Sequence, residues 1–141
     1  MPSKSREEYE HLIYSLRQRY PAISFSTLVL KSLGATIGRV EGEIHFPNQI
    51  RLKLFELIDF AKNRIVTYTY EVYRAEERLY WYDPMEHPED RDLAASYPHH
   101  KHIQPDIKHH RIPAPELSFQ LTNLDVIIRE IRDNLLVAGA S

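Results

Sequence analysis

From residue 23 to residue 83 apolar side chains recur at every second position, and this alternation restricts the fold more than any other feature of the chain. A period of two sends one set of side chains to the buried face of a sheet and the intervening set toward water. Residues 23–25 and 28–30 predict a first strand, bulged near Ser26-Thr27 where the alternation slips. In the second, Val40, Gly42, Ile44 and Phe46 alternate with Arg39, Glu41, Glu43 and His45, and Pro47-Asn48 makes the turn. Ile50, Leu52 and Leu54 define the third, with Glu56 on their side. Val66, Tyr68, Tyr70 and Val72 share a face of the fourth, and Leu79-Tyr80-Trp81-Tyr82-Asp83 forms the fifth. Such short connections predict an antiparallel meander, because parallel pairing needs a crossover of a dozen or more residues.

Helical periodicity flanks the sheet. Ser5 and Glu8 have capping-box spacing, and Tyr9, Leu12, Ile13, Leu16 and Tyr20 line one face until Pro21 stops the helix. Thr122 and Asp125 cap a second helix, Leu124, Ile127, Ile128, Ile131 and Leu135 form its apolar stripe, and Gly139 suits its end. Between lies a different kind of segment. Residues 84–115 hold six of the nine prolines and six of the eight histidines. A stretch that long without periodicity inside a domain points to function. The chain therefore reads as one α+β domain over residues 1–141: helix 5–20, a five-stranded antiparallel meander over 23–83, a His/Pro-rich loop over 84–115, and helix 122–138 packed on the sheet.

Composition narrows the function. A hydrophobic content of 43 % supports a real core. No apolar run approaches the roughly 20 residues that cross a bilayer, and the N-terminus lacks a secretory core. The absence of cysteine excludes disulfides and thiolate ligands, and it fits a cytoplasmic protein. A net charge of −2 argues against a generally cationic nucleic-acid binder, though not against local contact with RNA.

Four groups of residues carry candidate chemistry. In Tyr97-Pro98-His99-His100-Lys101-His102 an extended backbone points His100 and His102 the same way and His99 the other, which leaves His99 for a structural use. Imidazole takes and returns protons near neutral pH, and Lys101 adds charge for a phosphate. Tyr68, Tyr70 and Trp81 on neighbouring strands either follow the preference of aromatic residues for strands or form a base-stacking platform, with Asp83 placed to orient a histidine. His109-His110-Arg111 would extend the site, or supply metal ligands with His100 and His102. Glu56, on an apolar face, needs a partner such as an arginine or a loop histidine, unless it reaches solvent at the strand edge.

The run Tyr68-Thr69-Tyr70-Glu71-Val72-Tyr73, then Leu79-Tyr80-Trp81-Tyr82-Asp83, His87-Pro88-Glu89 and Tyr97-Pro98-His99-His100-Lys101-His102 resembles the TumE-type toxins of bacterial and archaeal toxin–antitoxin loci. The resemblance covers residues 37–133, and the Pro-His-His-Lys-His box is its most specific part. Pro84 stands where the family pattern has Asn, and Glu86-His87 where it has a double histidine. The resemblance implies a small toxin acting on RNA or translation, neutralised by a separate helix-turn-helix antitoxin.

Together these features suggest a ribonuclease that needs no metal or other cofactor. One of His99, His100 and His102 would deprotonate the ribose 2′-hydroxyl, and a second, or His87, would protonate the leaving oxygen. Lys101 or Arg91 would steady the phosphate charge, while Tyr68, Tyr70 and Trp81 hold the flanking bases. A metal-assisted alternative uses His100, His102 and Asp83 as ligands, and a non-enzymatic one makes the loop a docking module for antitoxin, nucleic acid or metal. The aromatic strands and open sheet edge also suit a homodimer.

Overall fold

The computed structural model describes residues 5–85, 90–120 and 122–136, except for the side chains of residues 95 and 96. Its sheet has eight strands rather than five: β1 Phe25–Ser26, β2 Val29–Ser32, β3 Ile37–His45, β4 Ile50–Asp59, β5 Arg64–Arg74, β6 Glu77–Asp83, β7 His100–Ile103 and β8 Arg111–Pro113. The order is β1-β3-β4-β5-β6-β7-β8, with β2 beside β1 on the same edge of β3. Every pairing is antiparallel.

The expected five-stranded sheet fails at both edges for identifiable reasons. At one edge the first strand divides at the expected slip. The Thr27 carbonyl passes so close to Gly42 (φ +140°) that a Cβ there would lie 2.7 Å from it. Only glycine accepts that approach and that backbone angle together. At the other edge, the His/Pro-rich segment supplies β7 and β8. Alternation is present in β7, but histidine fills the buried positions, so a search for aliphatic residues passes over it.

A bulge corrects one further expectation. The β4–β5 register shifts at Leu57/Ile58, making Val66 the extra residue. Ile65 joins Tyr68, Tyr70 and Val72 in the core, while Val66 is exposed.

Helices α1 Arg6–Tyr14, α2 Leu16–Arg19 and α3 Asn123–Ile131 cover one face of the sheet, here called the inner face. The predicted first helix is broken at Ser15. Its N-terminus carries the expected capping box, with the Ser5 hydroxyl accepting from the Glu8 amide and Glu8 from the Ser5 amide. Tyr9, Leu12, Ile13, Leu16 and Tyr20 are all buried, as their spacing predicts.

Thr122 is the N-cap of α3, but its side chain makes no cap bond. Beyond Ile131 the chain winds with wider π pitch over Arg132–Leu136. There Leu136 is buried, and the expected Leu135 is partly buried and packs against the core. Gly139 lies outside the described residues. No helix among them is long and apolar enough to cross a membrane.

Buried polar groups fasten the helices to the sheet. Glu56 is fully buried and accepts hydrogen bonds from the hydroxyls of Tyr9 on α1 and Tyr70 on β5. Its partners are therefore two tyrosines, not an arginine, a histidine or solvent. The Tyr20 hydroxyl reaches Asp125 at the start of α3. Glu130 of α3 receives the Tyr82 hydroxyl at 2.7 Å and the Lys101 ammonium at 3.1 Å.

Candidate functional site

Among the described residues none of the three α-helices covers the opposite, outer face of the sheet, and there β6 and β7 assemble a second polar group. Their register sets Trp81 against His102 and Asp83 against His100. Strand alternation then places all four side chains on the outer face, with His99 and Lys101 on the inner one. The 3-10 turn Arg91–Ser96 packs against β8, and its Leu93 is buried. His100 and His102 are buried on this face, whereas the Asp83 side chain remains 19 % exposed.

The hydrogen bonds fix the imidazole tautomers. His100 Nδ1 lies 3.1 Å from the Pro98 carbonyl oxygen, and His102 Nδ1 lies 3.0 Å from that of Ile107. A carbonyl only accepts, so both Nδ1 atoms carry hydrogen and donate. The Nε2 atoms are left to face each other at 3.0 Å. Asp83 completes the cluster, with Oδ1 3.0 Å from His100 Nε2 and Oδ2 3.4 Å from His102 Nε2.

The carboxylate is itself held in place. Trp81 Nε1–H donates to Oδ2 at 2.9 Å and the Met85 amide to Oδ1 at 2.9 Å. Burial alone would raise the Asp83 pKa. Hydrogen bonds from His100, His102, the Met85 amide and Trp81 outweigh it and hold the carboxyl well below the usual range.

The other expected site residues are distributed differently. Tyr68 and Tyr70 are buried on the inner face, so neither ring offers a surface for a base. Tyr68 meets His99 Nδ1 at 2.5 Å, and burial followed by the neighbouring His100 pushes the His99 pKa down. A neutral His99 accepting from Tyr68 fits the structural use that strand alternation suggests. Trp81 stacks on His102 at 3.9 Å, with the Arg78 guanidinium 3.8 Å from its ring centroid. Two such neighbours cannot share one ring face, so Trp81 is scaffold rather than an open platform.

Lys101, tied to Glu130, lies 4.2 Å from the Tyr80 ring centroid, on the wrong side of the sheet for the histidine pair. Arg91 is exposed at the start of the 3-10 turn, and His87 lies outside the described residues. His109 pairs with Asp106 and His110 with the Gln104 carbonyl, both exposed and outside the cluster. Sequence reasoning missed Arg78, the Met85 amide and the two carbonyls that set the tautomers. Backbone partners have no side-chain signature, but Arg78 lies three residues before Trp81 in the same aromatic strand.

A family model described as Toxin TumE matches residues 10–135 of the chain. No curated protein and no solved structure matches it.

Proposed function

The chain belongs to the TumE toxin family, and from that premise we propose that it is the toxin half of a toxin–antitoxin pair and cleaves RNA, with Asp83, His100 and His102 as its reactive centre. The observation that carries this reading is convergence: an oxygen of Asp83 and the Nε2 atoms of both histidines lie within 4.8 Å of one another. Among the described residues no other group of three or more His, Asp or Glu side chains converges in this way. Such a set, anchored from behind by carbonyls, an indole and an amide, is pre-organised for work on a charged substrate.

The three residues act as a unit. General acid–base cleavage by two histidines requires them to stand on opposite sides of the phosphorus. Nε2 atoms 3.0 Å apart leave no room for a phosphoryl group between them, and His99 belongs to the other face. The pair instead presents one compact edge, together with Asp83, to a phosphate oxygen. Asp83, the most exposed member, holds and orients the attacking hydroxyl.

On the outer face the guanidiniums of Arg78, paired with Glu71, and Arg51, paired with Glu43 and 4.1 Å from the Tyr73 ring centroid, line the path along which a single strand would approach. The family resemblance supports a helix-turn-helix antitoxin as the neutralising partner.

Purified protein incubated with single-stranded RNA tests the proposal. Wild type should cut, while His100→Ala and His102→Ala, folded by circular dichroism, should not. Equal cutting by wild type and both variants would sink it. Deoxyribose at the cleavage position then identifies the nucleophile, because only attack by the 2′-hydroxyl is blocked by it.

A further inference from the structure

We propose that Asp83, His100 and His102 form a binding site for one divalent transition-metal ion, which deepens the functional reading above by naming what the cluster holds. The starting point is an electrostatic requirement. With both Nδ1 atoms donating to carbonyls, the two Nε2 atoms and an anionic carboxylate are turned into one small region. Lone pairs at 3.0 Å repel unless a proton or a cation stands among them.

The distance between the two nitrogens suits a shared ion. For an ion bound by imidazole at about 2.1 Å, two ligand atoms lie about 3.0 Å apart at right angles and about 3.4 Å apart at the tetrahedral angle. The two nitrogens here are 3.0 Å apart, and the carboxylate meets them through different oxygens, Oδ1 3.0 Å from His100 Nε2 and Oδ2 3.4 Å from His102 Nε2.

The surroundings are those of a ligand set. Metal-binding imidazoles donate their second N–H to a carbonyl or carboxylate, which fixes the tautomer and the ring orientation. Both histidines do so, and both Asp83 oxygens are fixed by donors of their own. Two imidazoles and one carboxylate favour zinc, manganese, iron or cobalt over magnesium or calcium, which prefer all-oxygen sites. Three protein ligands leave at least one position for water or a phosphate oxygen, on the side where Asp83 is exposed. An ion there would polarise a phosphoryl oxygen or acidify a bound water.

The full chain, purified without a histidine tag, should bind about one equivalent of Zn²⁺ or Co²⁺ in a calorimetric titration. Co²⁺ binding should also produce visible ligand-field absorption. Asp83→Asn, His100→Ala and His102→Ala should each weaken binding at least about tenfold with the fold intact by circular dichroism. A His109→Ala/His110→Ala variant should bind as wild type does, because those exposed rings lie outside the cluster. No binding at micromolar ion, or binding that follows His109 and His110 instead, would overturn the proposal. The readout is independent of catalysis. RNA cleavage without metal binding would remove the ion and leave the functional reading; metal binding without cleavage would do the reverse.

Discussion

Glu56 and Asp83 are both poorly exposed carboxylates of one sheet, yet they are handled in opposite ways. Glu56 faces inward, fully buried beneath the helices, and its partners are two neutral hydroxyls. Burial raises its pKa, and the hydrogen bonds from Tyr70 and Tyr9 only partly offset that. Asp83 faces outward beside two imidazoles, an indole and an amide, which together overcome its burial and keep it anionic. The inner arrangement fastens α1 to the sheet and gives each carboxylate oxygen a donor. On the outer face charge is concentrated at an accessible edge. Burial of a polar group alone does not mark a functional site; what the surrounding groups do to its charge separates the two.

That contrast can be broken most severely from the outer side. The double variant His100→Ala/His102→Ala should reduce RNA cleavage by about 10³-fold or more, about 4 kcal/mol of transition-state stabilisation. Single-turnover assays would read this, and a loss below tenfold would argue that the cluster is scaffold. Glu56→Ala should act on the inner side, stranding the Tyr9 and Tyr70 hydroxyls and costing about 3 kcal/mol of stability in urea unfolding. Cleavage per folded molecule should be unchanged.

Replacement by Gln tests the charge alone. The Glu56 pKa is raised in the fold from an ordinary value of 4.5, so its favourable contribution is complete below that pH. It is lost as pH rises through the folded value. The stability of Glu56→Gln relative to wild type should therefore increase from pH 4.5 toward neutrality, and a constant Tm difference would contradict the assignment. The smallest effect belongs to Lys101→Ala, which removes the half-buried pair with Glu130. It should cost about 1 kcal/mol of stability and leave cleavage unaltered. A large catalytic loss there would mean that Lys101 reaches the phosphate after all.

The interior of the sheet was readable because its buried positions are aliphatic or aromatic and strictly alternate, as in Ile50, Leu52 and Leu54. Its edges were not. Nothing in the Thr27 region announces that a carbonyl will cross Gly42, and β7 hides its alternation under His100 and His102. The same alternation nevertheless predicted that these two histidines point together and that His99 points away. The Tyr68–Tyr70 platform was misjudged because aromatic residues suit either sheet face, and only the positions of the helices decide which face is closed. Lys101 stands between His100 and His102 in sequence, but a one-residue offset in a strand reverses direction and turns it to the inner face. The tautomer-setting contacts at Pro98 and Ile107 depend on backbone atoms that no residue pattern encodes.

Growth after induction tests most directly the claim that the outer cluster, not the inner carboxylate, is the reactive centre. Wild type, His100→Ala/His102→Ala and Glu56→Gln would be expressed to equal soluble levels without antitoxin. Growth arrest by wild type and Glu56→Gln, with normal growth of the histidine variant, is the predicted result. Arrest by the histidine variant as strong as that by wild type would contradict it.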